Sequence, residues 1–284
     1  MFTTKKDFYS FSFAMLLAFI LGFNSLISQA KYSNQSYNQA VNDFASQNWQ
    51  SAIDNFTKAI EIDPDSARAY LQRGVAKRKT NDYSGAIVDY GQAIEIDPDL
   101  YEAYVNRGVA KSLLFDYKGA IKDYSSALNI KPNSKSALLN RANGKEKIDD
   151  NLGAIDDLTQ IIEISQTPIA KAYFRRGLIF YKLDKYNEAL QDLQTALSIE
   201  QENPDALYNI ALVEVKLGYW DKALNKAIKS KEIYKSQGLL EKYQQSDKLV
   251  EYIEFKQVPE PSTEQFKPQQ GLETDKEEID KIDN

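Results

Sequence analysis

The chain contains no cysteine and no histidine. Disulfides, thiol nucleophiles, serine–histidine–aspartate relays and histidine-based metal sites are therefore excluded. A cysteine-free chain is compatible with an oxidising compartment. Sustained strand alternation is also missing. The body of the chain has little net charge. Residues 1–30 carry Lys5, Lys6 and Asp7, a net of +1, and residues 258–284 carry eight acids and three lysines, a net of -5. That leaves residues 31–257 with -2 of the total -6. Such a body offers no general attraction for nucleic acid.

One apolar run stands out, from Phe11 to Phe23, behind Lys5 and Lys6. It is shorter than the roughly 20 residues a spanning helix needs. Asn24, Ser25 and the small-residue pattern Ser28-Gln29-Ala30 follow it. The order of charged segment, apolar segment and cleavage site reads as a secretory signal over 1–30 cut after Ala30. An uncleaved N-terminal membrane anchor is the alternative. Either reading places the mature chain in an exported compartment, the periplasm or cell envelope, with peripheral or N-terminal membrane association as the variant.

From there the chain repeats itself. Ala67–Pro98 and Tyr101–Pro132 align without gaps, and Lys135–Gln166 aligns more weakly. Ala52, Ala86, Ala120, Ala154, Ala189 and Ala223 set the frame, at spacings of 34, 34, 34, 35 and 34. A period of this length marks stacked helical hairpins. Within a unit, apolar residues recur at helical spacing, as in Ala86, Tyr90, Ala93 and Ile94. Asn81-Asp82 and Phe115-Asp116 break the chain inside hairpins, and Asp99 is expected to cap the helix that follows it. The 35-residue spacing, with an extra residue near Ser165–Pro168, predicts an irregular junction there. Gly238 separates the sixth unit from an amphipathic stretch, Leu239–Phe255, that reads as a capping helix.

The residues themselves resemble the tetratricopeptide repeat. First helices carry an aromatic or Leu (Tyr70, Tyr104, Leu138, Tyr173, Leu207), then Gly or Ala four places on (Gly74, Gly108, Ala142, Gly177, Ala211). Second helices carry the framing alanine, then a bulky residue (Phe56, Tyr90, Tyr124, Leu158, Leu193), and proline closes several units. The resemblance implies an all-α solenoid of about six hairpins over 31–257, bacterial and exported in the light of the leader. Residues 258–284, rich in Glu, Gln and Pro, are expected to remain without fixed structure as an acidic tail.

The units also serve as their own comparison set. Arg73, Arg107, Arg141 and Arg176 share one place, and Asp89, Asp123, Asp157 and Asp192 share another. Units one and six lack both, with Gln39 and Asn55 or Ile210 and Lys226 instead. Residues that come and go together are expected to pair, with a structural role.

In this family the first helices line the concave face. The resemblance therefore implies a peptide-binding groove of Arg68, Leu71, Val75, Arg78, Val105, Val109, Leu139, Asn140, Lys171, Phe174, Arg175, Leu178 and Tyr208. An apolar groove with a basic surround suits a protein or peptide segment carrying acidic groups. Some family members hold a terminal carboxylate between Lys and Asn. Asn140, Lys171 and Arg175 fall at three of those five places, but Val105 and Val109 occupy the other two. The abundant Tyr and Phe recur at core places, so a nucleic-acid stacking platform is not expected. Acid pairs such as Asp149-Asp150 and Asp156-Asp157 sit at turns and exposed helix sides without an implied pocket. The chain reads as a non-catalytic adaptor without cofactor or metal. The second reading is a module for glycans or cell-wall fragments, stacked on groove aromatics.

Overall fold

The structure, a computed structural model, describes residues 31–257. The expected leader over 1–30 and the expected acidic tail over 258–284 lie outside the described residues. Within them the regular structure is helical, with no strand. The described residues divide into two compact units that meet in the chain between Ile199 and Glu200.

The first unit holds five antiparallel hairpins. These are α1 (described over 31–45) with α2 (Trp49–Ile62), α3 (Ala67–Lys79) with α4 (Tyr83–Ile96), α5 (Tyr101–Leu113) with α6 (Tyr117–Ile130), α7 (Lys135–Lys147) with α8 (Asn151–Glu163), and α9 (Ala170–Lys182) with α10 (Tyr186–Ile199). Each helix packs on the next, and the first helices of neighbouring hairpins also touch, α3 on α5 and α5 on α7. The second unit holds a sixth hairpin, α11 (Pro204–Lys216) with α12 (Trp220–Ser236), and then α13 (Leu240–Gln257) packed on α12. Gly238 makes the turn into α13 with φ +70, and α13 buries Ser246, Leu249, Val250 and Ile253.

The 34-residue period arises from packing. All six framing alanines are fully buried, because two helix backbones approach there. The bulky residue four places on fills the adjoining space: Phe56, Tyr90, Leu158 and Leu193 have no exposed surface. Where the facing residue is tyrosine, the first helix carries glycine. A Cβ on Gly74 would stand 2.7 Å from the Tyr90 ring, and one on Gly108 would stand 2.6 Å from the Tyr124 ring.

The turns inside hairpins share one design. Gln47, Asn81, Phe115, Asp149 and Asp184 all adopt positive φ, between 56° and 64°. Asp82, Asp116 and Asp150 then accept hydrogen bonds from the backbone N–H of Gly85, Gly119 and Gly153, at 2.9, 2.9 and 3.0 Å. These caps satisfy helix-start donors that would otherwise lack partners. The expectation for Asp99 fails. Leu100 occupies the cap position of α5 with no side-chain bond. Asp97 Oδ1 instead accepts from the Asp99 N–H at 3.1 Å, so the turn uses the earlier aspartate.

The arginine–aspartate pairs form inside each hairpin. Arg107 donates Nε and Nη2 to Asp123 at 3.0 and 2.7 Å, and Arg73, Arg141 and Arg176 repeat this two-point grip on Asp89, Asp157 and Asp192. The four aspartates are 1–5% exposed. Three receive a second cation: Lys77, Lys111 and Lys145 reach Asp89, Asp123 and Asp157 at 2.8–3.0 Å. Three of the arginines also donate Nη1 to a hydroxyl of the preceding hairpin, Thr57, Ser125 or Thr159, and so tie neighbours together. Gly91 holds that place before Arg107 and offers no hydroxyl. In the second unit the arrangement is reversed in sign. Glu214 stands at the lysine place, Lys226 at the aspartate place, and they bond at 3.0 Å.

Candidate functional site

The thirteen expected groove residues divide between the units, twelve in the first and Tyr208 in the second. In the first unit they lie on α3, α5, α7 and α9. Arg68 and Lys171 are exposed, and Val75, Arg78, Val105, Val109, Asn140, Phe174 and Leu178 are half-buried. Leu71 is only 7% exposed and belongs to the core around Tyr90, so it stabilises its hairpin rather than lining an open surface. Val75 leans on that same core, and Val105 and Leu139 lean on the next one. These side chains divide their surface between core and outside.

The basic members are less free than their charge suggested. Arg175 donates Nη2 to Glu146 at 2.7 Å, linking α9 to α7. At the end of α9 the neighbouring Lys182, outside the expected groove, pairs with Asp149 at 2.5 Å, linking adjacent turns. Arg68 acts on Glu102 of the next hairpin. Burial pushes the Glu102 pKa up, but hydrogen bonds from Lys131 and its own backbone, with the Lys131 and Arg68 charges, outweigh this and leave it lowered. The buried Nε of Arg78 and the buried hydroxyl of Tyr90 lack hydrogen-bond partners of good geometry. Burial drives the Tyr90 pKa from 10 up to about 12, opposed by Arg78. Lys171 has no ion-pair partner among the described residues.

Three depressions accompany this face in the first unit. An open one of about 560 Å3 is lined by Tyr101, Lys131, Pro132, Asn133, Ser134 and Ser136. Lys131 Nζ lies 4.2 Å over the Tyr101 ring there, and covers the face on which another ring would stack. A second, about 160 Å3, is bounded by Leu139, Ile161, Ile169, Ala172, Lys135, Ser136 and Lys171. A third, about 210 Å3, lies by Leu178 and Lys182. Leu139 and Lys171 thus share one cavity, and Leu178 borders another. Sequence reasoning missed Ile161 and Ile169, which lie on a second helix and a connection.

Three of the four acids in these pairs have structural tasks, and Asp156 is exposed. Asp150 caps α8, Asp157 is gripped by Arg141 and Lys145, and Asp149 is bonded to Lys182, whose hydrogen bond and charge hold its pKa below the usual value. An ionised, paired carboxylate is a poor proton donor.

A protein of this kind is a helical-hairpin repeat protein with an exposed wall of first helices. Residues 43–79, 76–113 and 177–218 match the family described as TPR repeat, and residues 101–134 match the tetratricopeptide repeat. Those stretches therefore carry tetratricopeptide repeats. Neutrophil cytosol factor 2 of Mus musculus is 36% identical over 70 residues, 19% of this chain and 13% of that protein. The chain thus matches about an eighth of the length of that curated relative. Among solved structures, MamA superposes with a TM-score of 0.58 at 23% identity, over 62% of this chain and 95% of that one. YrrB, described as a TPR protein with an unusual peptide-binding site, gives 0.56 at 23% identity, over 63% and 91%. At these identities the likeness establishes the fold alone.

Proposed function

We propose that the chain is a protein–protein interaction scaffold that takes a segment of another polypeptide on the first-helix wall of its first unit. The carrying observation is chemical. Val75, Val105, Val109, Leu139, Phe174 and Leu178 keep part of their apolar surface outside the core, on adjoining helices, beside the exposed cations Arg68 and Lys171. Extended or helical peptides with acidic groups suit such a surface. The peptide-binding site named for YrrB supports the same reading by analogy of fold. A non-catalytic reading accords with Asp149, Asp150 and Asp157 serving as ion-pair partners or a helix cap. The charged-then-apolar order of residues 1–30 supports a cell-envelope or periplasmic location, with cleavage after Ala30 or retention as an anchor.

Affinity capture of the full chain from the native envelope fraction tests this, with Val109→Glu/Phe174→Glu as the control. The expected result is a stoichiometric polypeptide that the double variant loses. Retention of saccharide without protein, or equal capture by the variant, would overturn the proposal. N-terminal sequencing of the same material checks the cleavage site.

A further inference from the structure

The junction between α8 and α9 differs from the others in the first unit. Residues 164–169 connect these helices, whereas residues 97–100 and 131–134 suffice at the two preceding junctions. The longer connection leaves the slot of about 160 Å3, walled by Leu139, Ile161, Ile169 and Ala172. An apolar cavity of roughly 150 Å3 is large enough for benzene. The slot thus fits one branched aliphatic side chain and little more.

Its mouth is positively charged. Lys135 and Lys171 border it, both exposed and both without ion-pair partners among the described residues. Ile169 gives α9 no side-chain cap, and the first turn of α9 contains no acid. The helix start therefore adds partial positive charge at the same place. Elsewhere on this wall Arg175 is paired with Glu146 and Lys182 with Asp149, and the exposed Arg68 does not line this slot. An apolar slot bordered by two unpaired lysines asks for a ligand that is aliphatic and acidic within one short segment.

We propose that this slot binds an internal segment of a partner polypeptide in which a Leu- or Ile-sized side chain adjoins an Asp or Glu. The inference rests on the peptide-binding role proposed above and gives that role a partner chemistry. An internal acid fits better than a chain terminus. Lysines are mobile point charges that accept a carboxylate over a range of positions. The fixed donors that a terminal carboxylate needs are missing, because Val105 and Val109 are apolar and Arg175 is already paired.

Methyl NMR of the full-length chain, with isoleucine labelling, tests the assignment. The probe is the blocked peptide Ac-Gly-Leu-Glu-Gly-NH2, titrated to about 10 mM, the range expected of a single side-chain anchor. Saturable shifts are expected at Ile161 and Ile169. Changing the peptide Leu to Ala should weaken binding about tenfold or more, as loss of a buried aliphatic group does. Changing its Glu to Gln should weaken it several-fold, and Lys135→Gln/Lys171→Gln should remove that preference without unfolding the chain. Insensitivity to the Leu-to-Ala change, or silence at both isoleucines, would overturn the slot. Tighter binding of a peptide ending in a free Leu carboxylate would overturn the internal acid. Shifts confined to Leu178 and Val109, read with added Leu and Val labelling, would sink the slot and leave the wider peptide-binding role standing.

Discussion

Arg107 and Asp123 provide the cleanest test of the buried ion-pair ladder, because Gly91 deprives Arg107 of the hydroxyl partner its counterparts use. The Asp123 carboxylate is 2% exposed and accepts from Arg107 twice and from Lys111 once at 2.8 Å. Removing one partner of a buried pair costs about 3–5 kcal/mol when the other stays buried and unpaired. Asp123→Ala should fall at the low end, about 3 kcal/mol, because Arg107 and Lys111 keep 22% and 21% of their side chains exposed and can rehydrate. Arg107→Ala should cost about 2 kcal/mol, since Lys111 still neutralises the carboxylate. The double variant should cost about 3 kcal/mol rather than the sum, a coupling of about 2 kcal/mol. Urea unfolding followed by circular dichroism gives the totals, and hydrogen exchange at α5 and α6 localises the loss in a repeat array that can open piecewise. Additivity within about 0.5 kcal/mol would refute direct coupling.

Other outcomes follow from the same geometry. Gly91→Ser should supply the missing hydroxyl to Arg107 and improve helix propensity, raising stability by about 1 kcal/mol in urea unfolding. Its gain should vanish in an Arg107→Ala background. Tyr90→Phe should be neutral or stabilising by up to about 1 kcal/mol at pH 7, because the buried hydroxyl has no hydrogen-bond partner of good geometry and Phe56 fills the same place in the first hairpin. The folded state holds the Tyr90 proton more tightly than the unfolded chain does. This contribution is present below pH 10 and lost as pH rises toward about 12. Alkaline unfolding monitored by circular dichroism should therefore be shallower in Tyr90→Phe, and an unchanged pH profile would count against the assignment.

Much of the fold was legible because the packing leaves a periodic trace. Alanine every 34 residues marks the places where backbones meet, and the joint presence of Arg and Asp announced a pair before any distance was known. The lysine four places after the arginine, and the hydroxyls at Thr57, Ser125 and Thr159, carry the same period and could have been read the same way. The Glu214–Lys226 pair was harder to see, because reversing both signs leaves no shared residue type to align. The binding wall was only partly legible. A first-helix position such as Leu71 or Leu139 faces a neighbouring hairpin and the outside within one turn, and only packing decides how much of it stays open. The slot depends on how far α8 and α9 stand apart, a backbone spacing that one extra residue signals but does not measure.

The central claim is that the first-helix wall receives a polypeptide. A photo-crosslinking amino acid placed singly at Val109 and Phe174 on that wall, and at the exposed Lys122 and Asp156 on second helices, tests it in the native cell. The account predicts polypeptide adducts from the first pair and none above background from the second. Equal adducts from both pairs, or none from Val109 and Phe174, would contradict it.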